Sequence, residues 1–178
     1  MTSFDGRAVA AGVSTPGNED ADAFEAELSP LIDEAVRLAT GMLLNAVEAE
    51  DAVQDACVRA WRRRANRREG TDLRPWFFGI VANQCREARR GRWWRVVRTA
   101  EPEVSTESRA DDAALLLDLR AALARLPYRR RLVIVLRYYL DLPFEDVAAA
   151  AGCSVDGAKA LARRATTDLQ RAMSGGPR

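Results

Sequence analysis

One run in this chain has the composition of a β-strand, and it has nothing to pair with. LVIVL, within Arg129–Leu140, is bounded on both sides by helical patterning. A lone strand would leave its backbone donors and acceptors without a ladder, so the run reads as a buried helix. Elsewhere apolar residues recur at spacings of three and four. Phe24, Leu28, Leu31, Ile32, Ala35, Leu38 and Ala39 line one side of a first helical stretch. Val53, Cys57, Ala60 and Trp61 line a second, Phe77, Ile80 and Val81 a third, and Leu115, Leu119, Ala122, Leu123 and Leu126 a fourth. This is the period of amphipathic helices, and the fold class expected is all-α.

Punctuation divides the helices into two groups. Residues 1–20 carry Gly, Pro and Ser without apolar period and read as a mobile tail. Ser29 and Pro30 suit an N-cap and a first helical position. Gly41–Val47 bends the chain into a helix from Glu48, and Gly70, Thr71 and Asp72 form a turn with Pro75 just beyond it. Composition shifts at Trp93–Asp112 to acids, Pro102, Ser105, Thr106 and Ser108, the signature of a flexible linker. About twenty flexible residues reach about 25 Å on average, and roughly 66 Å pulled straight. Pro127 ends the helix after it. Further on, Val147 and Ala148 face a core, Gly152 turns the chain and Ser154 caps the next helix, which Ala158 and Leu161 or Ala162 would pack back. That pattern is a helix-turn-helix. The expected plan is a helical domain over 21–92, a linker over 93–112, a helix-turn-helix domain over 113–173 and a short tail over 174–178.

Charge is segregated rather than balanced. The formal net charge is only +1, yet Arg59–Arg98 holds thirteen arginines against Glu69, Asp72 and Glu87. Residues 1–50 hold ten acids against Arg7 and Arg37, and Glu101–Asp118 six against Arg109. A basic stretch with Trp76, Trp93 and Trp94 interleaved fits a surface that tracks phosphates and stacks bases. Just upstream, Asp51, Gln54, Asp55 and Arg62 share a polar helix face, different from the apolar one on which Trp61 reads as core. Such a face is ordinary solvation or a docking surface. Asn83 stands mid-helix, where an amide has mediocre propensity; it is either a satisfied core hydrogen bond or a functional group.

The chain contains no histidine. Catalysis by a histidine base and histidine-liganded zinc are therefore excluded. Cys57, Cys85 and Cys153 are odd in number and lack a C-x-x-C spacing, so they read as packing residues, with redox sensing or metal binding as the alternative. No metal or cofactor is expected. No leader opens the chain and no apolar run approaches membrane length, so the expectation is a soluble, cytoplasmic protein without membrane insertion.

AEDAVQDACVRAW, followed after a loop by PWFFGIVANQCREARR, resembles the polymerase-binding and promoter-melting region of a bacterial RNA polymerase sigma factor of the extracytoplasmic-function class. LPFEDVAAAAGCSVDGAKALARRA is similar to that class's promoter-reading helix-turn-helix. The two matches stand in the family's order and cover roughly two-thirds of the chain. The resemblance implies a transcription initiation factor that binds core RNA polymerase, recognises both upstream promoter elements and helps open the DNA, without performing chemistry itself. It assigns core binding to Asp51, Gln54 and Asp55. Single-strand capture falls to Arg64, Arg67, Arg68, Trp76, Asn83, Arg86, Arg89 and Arg90, and duplex recognition to Ser154, Lys159, Arg163 and Arg164. Core polymerase and promoter DNA are the implied partners, together with an anti-sigma protein. One departure stands out: two positions that are arginine in the family's usual recognition helix hold Leu161 and Thr166. The competing classes are a self-contained helix-turn-helix regulator, which leaves the Asp51–Asp55 face unexplained, and a helical interaction protein, against which the arginine clustering argues.

Overall fold

The computed structural model describes residues 16–68, 70–96 and 110–174, with side chains for 20–68, 70–91 and 115–174. Every described element is helical. The order is α1 (Pro16–Leu28), α2 (Ile32–Leu43), α3 (Ala46–Arg63), α4 (Leu73–Val96), α5 (Ala110–Arg125), α6 (Tyr128–Ile134), α7 (Phe144–Ala151) and α8 (Val155–Ser174). Most of the expected first tail, the middle of the expected linker and nearly all of the last tail lie outside the described residues. Helix reaches into their margins: α1 begins at Pro16, α4 continues to Val96 and α5 begins at Ala110. The stretch from Pro16 to Asp20 has no apolar period to betray it, although Pro suits a first helical turn.

Local chemistry explains most boundaries. Ser29 is not an N-cap, contrary to expectation. A 3₁₀ turn at Ser29–Leu31 joins α1 to α2, and Leu28 keeps right-handed helical torsions (φ −81°, ψ −36°), so there is no cap position to fill. Helix α2 ends where Leu44 turns left-handed (φ 59°) and donates its N–H to Thr40 O at 2.8 Å. Asn45 then caps α3 by accepting the Glu48 N–H at 3.0 Å, which satisfies a first-turn donor. Asp72 does the same for α4, accepting from Arg74 N at 3.0 Å.

The LVIVL run is a buried helix, as its lack of a strand partner requires. Its end widens into a π turn over Val135–Tyr139, where Leu140 N donates to Val135 O at 3.0 Å. In the helix-turn-helix, Gly152 (φ 62°) closes α7 with its own N–H and that of Cys153 directed to Ala149 O and Ala148 O. This is a Schellman closure, which requires a left-handed residue at Gly152. Ser154 Oγ accepts from Gly157 N at 3.1 Å and caps α8, and Ala158 and Ala162 turn inward.

The two halves share one core. Leu38, Met42, Phe77 and Val81 lie in the same buried cluster as Leu132, Val133, Leu136, Leu142 and Val147. Two glycines allow the approach. A Cβ on Gly41 of α2 would sit 2.9 Å from Val135 Cγ1, and one on Gly79 of α4 would sit 3.3 Å from Ala150 O of α7. Polar bonds fasten the same seam. Buried Arg131 donates from Nη1 to Met42 O at 2.9 Å and from Nη2 to Ala124 O at 2.6 Å. Arg120 Nη2 donates to Leu44 O at 2.8 Å, and the Tyr128 hydroxyl donates to Ala82 O. Two guanidinium groups thus meet the carboxyl end of α2, where orphan carbonyls and the helix dipole favour cations.

Candidate nucleic-acid interface

Three surfaces carry the residues singled out from the sequence. The first is the outer face of α3. Asp51, Gln54 and Asp55 are all exposed there, with Arg62 continuing the stripe. None of the three has a hydrogen-bond or ion-pair partner among the described residues. Val47 and Val58 share this helix and are 70% and 49% exposed, so the face is mixed polar and apolar. Trp61 is not core as expected. It remains 38% exposed, edge-on to Phe24 at 6.0 Å and beneath the Arg64 guanidinium at 3.7 Å. The indole borders an open groove with Phe24, Leu28, Ile32 and Val58, which leaves part of the ring to solvent.

The second surface runs from the α3–α4 loop along α4. The thirteen arginines do not all face solvent as one field. Arg59 forms a two-pronged pair with Glu87 (2.6 and 3.1 Å). The buried Gln84 amide completes the cluster: in the orientation that satisfies both its groups it accepts from Arg59 Nε at 2.6 Å and donates to Glu87 Oε2 at 3.1 Å. Arg74 pairs with Glu34 at 2.7 Å and Arg67 with Glu27 at 3.3 Å. Arg64 donates to Trp61 O at 2.8 Å. Four arginines of the basic stretch therefore organise the fold locally, two of them, Arg64 and Arg67, being strand-capture candidates. Arg62, Arg63, Arg68, Arg86 and Arg90 remain exposed. Asn83 is exposed too, which removes the core hydrogen-bond alternative, and Trp76 is half-buried against the core. Trp93 and Trp94 lie outside the residues whose side chains are described.

Between α4 and α7 runs a cleft of about 510 Å³ lined by Trp76, Gly79, Asn83, Arg86, Arg129 and Ala149–Gly152. Sequence reasoning placed Trp76, Asn83 and Arg86 on one helix but could not see that the helix-turn-helix unit forms the opposite wall. Farther along, Arg86 and Arg89 lie 5.1 and 5.6 Å from the centre of the Tyr128 ring. Burial is the main cause holding the Tyr128 hydroxyl well above its ordinary pKa, the Cys85 thiol adding to it and Arg86, Arg89 and Arg131 opposing. It stays a protonated donor.

The third surface is the outer face of α8. Lys159, Arg163 and Arg164 are exposed, Lys159 lying 6.0 Å from the Phe144 ring centre. Ser154 is exposed as well, its hydroxyl engaged as the helix cap. Leu161 packs against the core, and Thr166 Oγ1 turns back to Ala162 O at 3.0 Å. Neither can stand in for a missing arginine. Cys85 lies in the core and Cys57 and Cys153 pack against it; burial pushes the Cys85 thiol up to about 12 and raises that of Cys57. No described helix is long and apolar enough to cross a membrane.

A basic helical unit packed on a helix-turn-helix unit defines a class of DNA-binding protein, and the comparisons narrow it. Residues 29–95 match the family model for sigma-70 region 2, and residues 116–169 the model for sigma-70 region 4. The chain is similar to the ECF RNA polymerase sigma factor EcfG of Rhodopseudomonas palustris, 33% identical over 129 residues, covering 70% of this chain and 71% of that one. It is also similar to the ECF sigma factor SigG of Mycobacterium tuberculosis, 30% identical over 184 residues and 87% of this chain; it spans half of that protein's length. The fold resembles that of the sigma factor RpoE from Bartonella quintana, solved in complex with the anti-sigma factor NepR, with TM-score 0.71, 26% identity and coverage of 88% of this chain and 99% of that one. The chain belongs to the extracytoplasmic-function family of RNA polymerase sigma factors.

Proposed function

We propose that this chain initiates transcription by docking on core RNA polymerase, reading two upstream promoter elements and holding the displaced strand as the duplex opens. The observation that carries the reading is the division of its exposed groups among three separate faces, two of them within the region 2 match and one within the region 4 match. Asp51, Gln54 and Asp55 present unpaired acceptors on a rigid helix, suited to a basic helical partner. Arg68, Trp76, Asn83, Arg86, Arg89 and Arg90 present cations, an amide and an indole along α4 and its entry loop, with Arg64 and Arg67 bracing that loop. Melting costs about 1.4 kcal/mol of stacking per step, and capture of an unstacked base by arginine and aromatic groups contributes about 1–3 kcal/mol. The two are of one size, so capture can offset melting only where several bases are held. Lys159, Arg163 and Arg164, with Ser154 fixing the start of α8, meet the major groove of the farther element.

The chain itself catalyses nothing in this reading and works in the cytoplasm beside polymerase. The units proposed are a polymerase-binding and melting domain over 21–92 and a promoter-reading domain over 113–173. The complex of the similar RpoE with NepR supports an anti-sigma protein as a further partner. A pull-down of core polymerase tests the docking face. Reversing the charge of Asp51 and Asp55 together should abolish retention with helicity unchanged, and retention at wild-type affinity would remove the proposed surface.

A further inference from the structure

Arg59, Arg67 and Arg74 are neutralised by carboxylates. Arg86, Arg89 and Arg90 make no hydrogen bond or ion pair among the described residues, and all three line one open cleft of about 470 Å³. Its fourth cation comes from the other half of the molecule. Arg129 of α6 is held by its Nη2, which donates to Ala151 O at 3.2 Å and Gly152 O at 3.4 Å. Tyr128 completes the lining, its ring beside the Arg86 and Arg89 guanidinium groups and its hydroxyl engaged by Ala82 O. No acid lines the cleft. Four like charges facing one another repel. Arg89 Nη1 adds a second cost, being buried without a hydrogen-bond partner among the described residues. An oxyanion relieves both, since guanidinium forks match phosphate oxygens two at a time. A single phosphate carries at most about −2 at neutral pH, half the formal charge of the four arginines; two or three linked phosphates match it. Arg86 and Arg129 also line the adjoining cleft with Trp76 and Asn83, so a nucleoside carried on such a chain would meet an indole and an amide.

We propose that the cleft between α4 and α6 is a binding site for a small oligophosphate, a di- or triphosphate chain that is either inorganic or carried by a nucleoside. Arg86, Arg89 and Arg90 grip it from one side and Arg129 from the other. The site stands whether or not α4 also holds DNA, because Arg129 and Tyr128 belong to neither DNA-facing surface. A ligand that binds only the folded, packed chain stabilises it in proportion to its concentration over its dissociation constant.

The test is isothermal titration calorimetry of the full-length chain in chloride buffer without divalent cations, with inorganic tripolyphosphate and GTP as probes. Tripolyphosphate should bind in a one-to-one ratio and raise the melting temperature. Arg129→Gln and Arg90→Gln should each weaken binding about tenfold, the loss expected for a charge-assisted contact. Arg63→Gln removes an exposed arginine of α3 outside the cleft and should change nothing. GTP bound no more tightly than tripolyphosphate assigns the phosphate chain alone as ligand, whereas tighter binding of GTP that Asn83→Ala cancels assigns a nucleotide; either supports the site. Should Arg129→Gln fail to fold for want of its bonds to Ala151 and Gly152, Arg90→Gln still reads the site from the exposed side. Absence of binding at millimolar tripolyphosphate would overturn the proposal. So would equal weakening by Arg63→Gln, which means a diffuse basic surface. A loss in Arg90→Gln with none in a folded Arg129→Gln would overturn the two-sided site and leave only an ordinary basic face on α4.

Discussion

Two arginines show how little the residue type says about the work it does. Arg59 meets Glu87 with two hydrogen bonds, yet their side chains are 40% and 42% exposed, where solvent screens the pair. Arg131 is 3% exposed and meets two backbone carbonyls. Exposed pairs contribute about 0–1 kcal/mol, while a charged hydrogen bond contributes about 1.5–3 kcal/mol and leaves an unsatisfied acceptor when lost. Arg59→Ala should therefore cost no more than about 1 kcal/mol, and Arg131→Ala about 3 kcal/mol, read as a drop in the urea midpoint at constant slope. The sequence could not separate them, because arginine is so seldom buried that RRRL gives no hint of one that is. Cys85 makes a prediction in pH. Burial holds its thiol at about 12, above the ordinary 9.0, so the folded chain keeps the proton that the unfolded chain gives up. That stabilisation is complete below about pH 9 and is lost as pH rises toward 12. Denaturation midpoints measured upward from pH 8 should fall, and less steeply in Cys85→Ala.

Among the elements, the helix-turn-helix was the most legible, because its signals are local. Gly152 supplies a left-handed closure, Ser154 a cap, and Ala158 and Ala162 a small inward stripe. The π turn was not legible, since one extra residue in a helical circuit leaves the apolar pattern almost unchanged and tertiary packing decides where it goes. The strand-capture stretch was half legible. Its excess of arginine was plain, but the acids that bind Arg67 and Arg74 come from α1 and α2, forty residues away in each case. Helix α8 yields a number. Its exposed Lys159, Arg163 and Arg164 can neutralise about three phosphates, for a salt slope near −3 in log–log form. Replacing all three by alanine should flatten the slope of duplex binding by about that amount, as followed by anisotropy across a salt series. Leu161→Arg should not steepen it by a full unit, because that position packs inward.

At the scale of the whole molecule, two sequence families have become one packed body. Two apolar patterns separated by a polar stretch predict two cores, and what joins them here is invisible to patterning: Gly41 reads as the start of a bend but lies inside α2, and both it and Gly79 serve close approach to a neighbour that only the fold brings near. A shared core should unfold as one. Calorimetry of the free chain should give a single transition whose calorimetric and van't Hoff enthalpies agree, and Gly41→Val should split or broaden it. Two resolved transitions in the parent would mean that the seam contributes little.

The apolar make-up of that seam has a thermal consequence. Val135, Leu132, Leu136, Val81 and Met42 are held together chiefly by exclusion from water, an attraction that weakens on cooling. Parting the halves hydrates that surface and raises the heat capacity. The balance between parted and joined chains should therefore drift with the weather of the cell: looser in the cold, tighter in mild warmth, and curved rather than straight in a van't Hoff plot of scattering data.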